Sequence, residues 1–332
     1  MKTFRTSILS PVLILSLLLI LTACAHHQKI PFEAVHAVYS ATAEKDSQLH
    51  KYAPLFLAHD YQASYNRIGQ PAAKYDDQSN EQIYVNSEIP VIYFLKRNFT
   101  TAKGSYTNLI YRVHFPEVPF SLIPFNLTAG DNIGLLVVIT LDSQQRPVLV
   151  TTVHTCGCYL AIVPTSFLPV DALPDKWTKK PISVYGEILP GLADYSKTKD
   201  PKLLVYLRPE VHRVMDIQII DARELQDGPR FNVIYADLKP AAELERIPLG
   251  DGFTSFYHHQ GVLKGHVKGS VKPFESIFLS LISLDFFIGT DKVYADPKES
   301  GNLFYTSIKP WNRSASEMWD FAKFLAFWGW RL

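Results

Sequence analysis

Two apolar runs joined by a polar turn constrain the fold of this chain more than any other feature. The runs, 133–141 and 148–153, are apolar on both faces of a strand. Residues 142–147, with the sequence Asp-Ser-Gln-Gln-Arg-Pro, form a polar turn that ends in proline. Strands that are apolar on both faces are typical of the interior of a sheet. The sequence therefore predicts an antiparallel hairpin at the centre of a sheet.

Short runs of β-branched and aromatic residues on both sides of the hairpin predict further strands. They lie at 83–85, 91–95, 109–115, 182–188, 203–207, 214–220 and 231–235. In 109–115 apolar residues alternate with mostly polar ones, which indicates a strand with one face on a core.

The C-terminal portion, 273–332, changes to helical spacing. Its apolar residues recur at intervals of three and four, and Glu275 and Asp285 within the first run argue against a membrane span. Ser314-Ala315-Ser316-Glu317 has the form of a capping box and predicts the start of a last helix. The predicted fold class is α+β, a strand-rich body with a central antiparallel hairpin and helices near the C-terminus.

The first 23 residues have the pattern of a secretory signal peptide. Lys2 and Arg5 give a positive start, and 8–21 is an apolar run that is short for a membrane span. The run ends in Leu21-Thr22-Ala23-Cys24, which resembles the lipobox of bacterial lipoproteins. This resemblance implies cleavage before Cys24, a diacylglyceryl group on its sulfur, and a membrane anchor of several acyl chains.

The resemblance also predicts where the protein is located in the cell and how the chain divides into segments. Ala25 stands where the family's inner-membrane retention signal would have Asp, which implies the periplasmic face of the outer membrane. We expect a signal peptide at 1–23, an anchor and tether at 24–59, and a single α+β domain at 60–332.

The net charge and composition of the chain limit the classes of binding partner that we expect. Loss of Lys2 and Arg5 with the signal peptide takes Lys+Arg from 33 to 31 against 32 Asp+Glu, a net charge of about −1. Such a chain has no global electrostatic attraction to nucleic acid, so no nucleic-acid partner is expected. A hydrophobic content of 47% predicts a folded core. The sequence contains no Gly-rich phosphate loop, no Gly-x-Ser-x-Gly and no His-Glu-x-x-His.

The strongest candidates for chemistry follow the second apolar run, in Val153-His154-Thr155-Cys156-Gly157-Cys158-Tyr159. In an extended strand the side chains of His154, Cys156 and Cys158 point the same way, about 6.6 Å apart at ~3.3 Å per residue. Zn²⁺ and Cu⁺ use such ligands. Two ligands at about 2.3 Å from one ion reach at most some 4 to 5 Å across it, so Gly157 must bend the segment for a metal to bind. The candidate fourth ligands are His114, His258, His259 and His266.

Three alternatives use the same cysteines. The bend would let Cys156 and Cys158 form a strained, easily reduced disulfide with a redox role. The two thiols could instead be buried and inert. As a catalytic nucleophile, either cysteine would need a base, and His154 is the nearest.

A partial resemblance to an enzyme family supports the alternative of a catalytic cysteine. Thr155-Cys156-Gly157-Cys158 resembles the Ser/Thr-x-Gly-Cys signature of L,D-transpeptidases, envelope enzymes with a cysteine nucleophile. The resemblance covers four residues. Leu160 stands where that family has Arg or a similar residue, and the family's upstream histidine has no counterpart near Asp142.

A second candidate site is basic. Lys264, His266, Lys268 and Lys272 alternate with small or apolar residues, so a strand there would present a basic row that could bind anionic envelope polymers. A charged row of this kind also suits a simply solvated edge strand.

Together these features predict a lipid-anchored protein of the cell envelope. Because no complete catalytic motif is present, the first hypothesis is a binding or assembly module whose partners are envelope polymers or other envelope proteins. The alternative is a cysteine-dependent enzyme, or a metal or redox protein, that uses His154, Cys156 and Cys158, with Zn or Cu as the cofactors considered.

Overall fold

The structure is a computed structural model that describes residues 36–42, 47–123, 125–225 and 232–332. The predicted signal peptide and Cys24 lie outside the described residues. Two strands and a short helix at 36–59, in the later part of the range 24–59 assigned to the anchor and tether, are part of the folded body.

Strands dominate the described chain, and sixteen are present among these residues. They are β1 (His36–Ala41), β2 (Leu55–His59), β3 (Gln70–Tyr75), β4 (Glu81–Asn86), β5 (Val91–Thr101), β6 (Gly104–Val118), β7 (Gly130–Leu141), β8 (Pro147–His154), β9 (Ala161–Pro164), β10 (Ile182–Val184), β11 (Glu187–Leu189), β12 (Pro201–Leu207), β13 (Val214–Asp221), β14 (Asn232–Pro240), β15 (Ile247–Leu249) and β16 (Gly252–Thr254). The α-helices are α1 (Gln48–Tyr52), α2 (Pro273–Ser283), α3 (Pro297–Ser300) and α4 (Phe321–Phe327).

Ten strands form one curled, mixed sheet in the order β13-β12-β2-β1-β14-β5-β6-β7-β8-β9. Strand β14 lies at its middle and pairs in parallel with β1 on one side and β5 on the other. The two apolar runs pair as antiparallel β7 and β8, and only β9 lies beyond β8. The prediction of an α+β body with a central hairpin is therefore wrong. Parallel pairing between distant segments places other strands at the centre, and the helices are few and short.

The hairpin is buried on both faces, which accounts for its unbroken apolar sequence. Along β7, Leu135, Val137 and Ile139 contribute to one buried core. The alternate residues Leu136 and Val138 contribute to a second core on the other face of the sheet. Helix α4 covers that second face, because Phe321, Phe324 and Leu325 pack into the same core.

The C-terminal portion is less helical than its spacing predicts. The last helix begins at Phe321, with the Asp320 carboxylate accepting from Lys323 N, and not at the predicted capping box. Glu317 of that box accepts hydrogen bonds from Trp319 N and Asp320 N in the turn before the helix. Within the described ranges, every helix is too short or too polar to cross a membrane.

Candidate functional site

A tight turn ends β8 and carries both cysteines. His154 N donates to Cys158 O at 2.9 Å, and Gly157 N donates to His154 O at 2.8 Å. Gly157 has φ +96°, and a Cβ placed there would lie 2.0 Å from Tyr305 O. The bend that a metal site requires is therefore present, and it depends on glycine.

Gly157→Ala is expected to lower the free energy of unfolding by more than about 2 kcal/mol, because backbone strain adds to the clash with Tyr305. Gly261→Ala is the matched control: Gly261 has φ +72°, but a Cβ added there would meet no atom within 4 Å, so only the backbone strain applies. Urea unfolding of both variants measures the difference. Equal losses would show that the contact with Tyr305 is unimportant.

The turn brings the two sulfurs to a carboxylate from α2. The ligand atoms of Cys156, Cys158 and Glu275 all lie within 4.8 Å of one another, and we call these three residues the thiol cluster. The distance from Cys158 Sγ to Glu275 Oε1 is 3.2 Å. Cys156 and Glu275 are buried, whereas Cys158 is half-buried. Across the described ranges, this is the one set of three His, Cys, Asp or Glu side chains that comes so close.

Glu275 is an unusual residue to bury at this position. It is 2% exposed, and its Oε2 atom has no hydrogen-bond partner. Gly289 makes room for it, since a Cβ there would lie 2.5 Å from the same Oε2 atom. A buried carboxylate oxygen without a partner loses its hydration without compensation, and this one leaves an acceptor beside the two sulfurs free to bind a cation or a water molecule.

A buried ion pair supports the cluster. Lys272 Nζ lies 3.0 Å from Asp291 Oδ2, and the two side chains are 1% and 0% exposed. Asp291 also accepts from Ser270 Oγ at 2.8 Å, from Gly134 N at 3.3 Å and from the Thr155 hydroxyl. Asp291 therefore joins the cysteine turn, β7 and the segment before α2.

The pKa values of this pair follow from their mutual attraction. Burial alone would lower the pKa of Lys272, but Asp291 and then Cys156 and Glu275 outweigh it and hold the pKa well above its ordinary value. Burial alone would raise the pKa of Asp291, but Lys272 and the hydroxyl donors keep it low. Both groups are therefore charged at neutral pH.

A second lysine lies beside the turn. Lys292 Nζ donates to Cys156 O at 3.1 Å and to Thr290 O at 3.3 Å, and it lies 4.8 Å from the centre of the Tyr305 ring. Lys292 is 1% exposed. Two buried ammonium groups thus lie close to the cysteines.

The pKa values of the two thiols are shifted in opposite directions. A hydrogen bond from Cys158, with help from Lys272, outweighs burial and lowers the pKa of Cys156. The same bond to Cys156, together with burial, raises the pKa of Cys158 well above its ordinary value. The first proton of the pair is therefore lost more easily than that of an ordinary thiol, and the second is lost less easily.

His154 does not join the thiol cluster, although the sequence predicts it as a ligand or base. Its ring packs against Tyr159 at 4.9 Å and hydrogen-bonds the backbone of His212. Burial, then the charge of Lys272, lowers its pKa to about 3. The alternation that predicted a shared direction holds only in an extended strand, and the chain turns after Thr155.

The other histidines proposed as ligands also lie elsewhere. His114 Nε2 accepts from Arg112 Nε at 2.9 Å, and His259 lies 3.3 Å from Glu245 on the surface. His258 N and His266 O form a backbone hydrogen bond of 2.9 Å, and neither ring is part of the thiol cluster.

The basic row does not form, because 264–272 consists of turns and isolated bridges. Lys268 pairs with Glu81 at 2.8 Å, His266 is buried, and Lys272 is the partner of Asp291. Lys264 is half-buried beside Gly301. These four residues therefore have separate roles.

Sequence reasoning missed Glu275 and Asp291 as site residues. Glu275 is 117 residues from Cys158, and Asp291 is 136 residues from Thr155. One signal was present: Glu275 is an acidic residue at the start of an otherwise apolar helical run. Acidic residues at such positions are seldom buried without a partner.

Comparison with known proteins adds no relative. No protein-family model, curated protein or solved structure matches this chain.

Proposed function

We propose that the protein is a lipid-anchored binding protein of the cell envelope whose thiol cluster binds a divalent, thiol-seeking metal ion, with Zn²⁺ the best match. The observation that carries the metal site is the buried Glu275 oxygen without a partner beside two sulfurs. The lipobox ending at Cys24 supports the anchor and, with Ala25, the periplasmic face of the outer membrane.

The donor atoms suit one ion in type and spacing. Metal–ligand bonds of 2.0–2.3 Å in a tetrahedral site place ligand atoms roughly 3.3–3.8 Å apart. The 3.2 Å between Cys158 Sγ and Glu275 Oε1 is close to this, and the whole cluster lies within 4.8 Å. Two thiolates and one carboxylate are a ligand set that Zn²⁺ accepts, with a fourth position left for water or a bound group.

Charge balance favours a divalent ion. When both thiols are ionised, four acidic groups, Cys156, Cys158, Glu275 and Asp291, face two basic ones, Lys272 and Lys292, and all of them except the half-buried Cys158 are buried. The formal sum is −4 + 2 = −2, which a buried region holds only at high cost. One divalent cation brings the sum to zero.

The purified protein is expected to bind one Zn²⁺ per chain and to release protons on binding, because the thiols must ionise. Cys156→Ser and Glu275→Gln should each weaken binding by tenfold or more, since each removes a ligand. Glu245→Gln, near the surface His259, is the matched control and should bind as the parent does. Competition with a chromophoric chelator measures the affinities.

Several outcomes would contradict the metal site. Unchanged Zn²⁺ affinity in Cys156→Ser and Glu275→Gln would place the ion elsewhere. If the reduced parent protein binds no Zn²⁺, the proposal is wrong. Circular dichroism of each variant separates loss of a ligand from loss of the fold.

A thiol-based reaction is the second candidate, because Cys158 is half-buried and the pKa of Cys156 is lowered. Alkylation distinguishes the two. Metal-bound thiols should react slowly with iodoacetamide and faster after chelation. Fast alkylation of the folded protein that chelators do not change would favour a free nucleophilic or redox thiol.

The anchor has its own test. Mass spectrometry of the N-terminal peptide should show acyl groups on Cys24, and Cys24→Ala should abolish them. A parent protein without acyl groups would contradict the anchor, whatever the metal content.

A further inference from the structure

Helix α2 has its polar side inward and its apolar side outward. It buries Glu275 and Ser283, while Ile277 and Leu281 are 66% and 82% exposed. Leu284, which caps the helix, is 74% exposed and continues the same face at i, i+4 and i+7 spacing. The site therefore determines which face points inward, and the apolar face is left without a protein partner in the described structure.

A second segment extends this apolar face. Phe120 stacks on Phe274 of α2 with ring centres 5.6 Å apart, and Phe125 packs edge-on against Phe274 at 5.2 Å. Beside them Leu122 and Ile123 are 67% and 94% exposed. We call the combined set the apolar surface: Phe120, Leu122, Ile123, Ile277, Leu281, Ile282, Leu284 and Phe286.

An apolar cavity opens next to the same helix. It has a volume of about 320 Å³, and its lining includes Ile277, Phe286, Val271 and Leu263. Large exposed apolar areas on a folded protein mark contacts with proteins or membranes.

We infer that the apolar surface docks the folded body onto the lipid bilayer, with the side chains of α2 and the 120–123 loop inserted among the acyl chains. The inference rests on the proposed lipid anchor for its geometry. Cys24 and His36 are twelve positions apart, and even a fully extended connection of that length spans only roughly 40 Å. A body held on so short a connection stays at the membrane surface.

The shape and charge of the apolar surface favour lipid over a protein partner. Its side chains project, as the 94% and 82% exposures of Ile123 and Leu281 show, and a fluid bilayer accepts a projecting shape without a matching groove. The run 276–284, Ser-Ile-Phe-Leu-Ser-Leu-Ile-Ser-Leu, has no charged residue. Asp285, which follows the run, is paired with Arg313 at 3.9 Å, so insertion of the run to the depth of interfacial helices buries no unpaired charge.

Tryptophan quenching tests the docking in full-length protein reconstituted into vesicles of phosphatidylethanolamine and phosphatidylglycerol. In Leu281→Trp, brominated acyl chains should quench more fluorescence than they do in the parent, whose five tryptophans give the background. In Tyr235→Trp, a control at a 68% exposed position of β14 outside the apolar surface, they should not. Adding Ile277→Glu and Leu284→Glu to Leu281→Trp should remove the quenching.

Equal quenching at positions 281 and 235, or none at 281, would overturn the docking. Concentration-dependent dimerisation that Leu284→Glu abolishes, without quenching at 281, would assign the surface to a second copy of the chain instead. The mass of the Cys24 peptide reports the anchor separately, so an acylated protein without quenching keeps the anchor and loses the docking.

Discussion

Asp291→Asn is expected to lower the free energy of unfolding by about 3–5 kcal/mol, the cost of leaving one partner of a buried ion pair unpaired. The change leaves the ammonium of Lys272, which is 1% exposed, without its carboxylate partner. It also weakens the hydrogen bonds that Ser270 and Thr155 donate to residue 291. Urea unfolding of parent and variant in the metal-free state measures the loss.

Two further variants identify the cause of that loss. Lys272→Met combined with Asp291→Asn should be more stable than the sum of the single losses predicts, because neither charge is then left alone. Asp175→Asn is the matched control, since the pair of Asp175 with Arg331 has the same kind of contact at 2.9 Å but lies at the surface. That control should cost less than about 1 kcal/mol. Additive losses in the double variant would contradict the ion-pair explanation.

Acid is expected to destabilise the protein steeply between pH 6.5 and pH 4. His212 is 1% exposed, its Nε2–H donates to Tyr65 O at 2.8 Å, and its ring stacks on Phe115. Burial, then neighbouring His154, lowers its pKa to about 3. Because the pKa is lowered in the folded state, the unfolded chain binds the extra proton below pH 6.5. Stability therefore falls as pH falls, by about 3 kcal/mol from this residue at pH 4.

His212→Gln isolates this contribution. The glutamine amide can still donate to Tyr65 O, but it does not titrate, so the slope of unfolding free energy against pH should decrease by about 1.4 kcal/mol per unit between pH 6 and pH 4. His259→Gln serves as the control, because the His259 side chain is 62% exposed. An identical slope in parent and His212→Gln would show that folding does not lower the pKa of His212.

The sequence predicts the local elements of this fold well and their arrangement poorly. The apolar runs and the proline-ended turn correctly predict the paired β7 and β8. The position of that hairpin depends on β1 and β2 pairing with β14 and β12, which lie far along the chain. Periodicity within a segment contains no information about such partners. The sequence therefore does not show that β14, and not the hairpin, lies at the centre of the sheet.

The sequence likewise predicts one part of the candidate site and not the other. Cys156, Cys158 and the bend at Gly157 follow from seven neighbouring residues, and the structure brings the two sulfurs together. Glu275 replaces His154 because the turn brings the sulfurs to α2, while the His154 ring packs on Tyr159 and hydrogen-bonds the backbone of His212. Which distant carboxylate meets the sulfurs depends on the tertiary fold.

The parallel pairing of β1 with β14 has a consequence for how the chain is made. The backbone bond from Thr42 N to Ala236 O joins residues 194 positions apart, as does the side-chain bond between the same two residues. The middle of the sheet therefore stays open until the segment that contains β14 has been synthesised and, in an exported protein, translocated. Contacts so distant slow folding, so the edge of β1 that faces β14 stays unpaired until late in synthesis, although β1 can pair locally with β2.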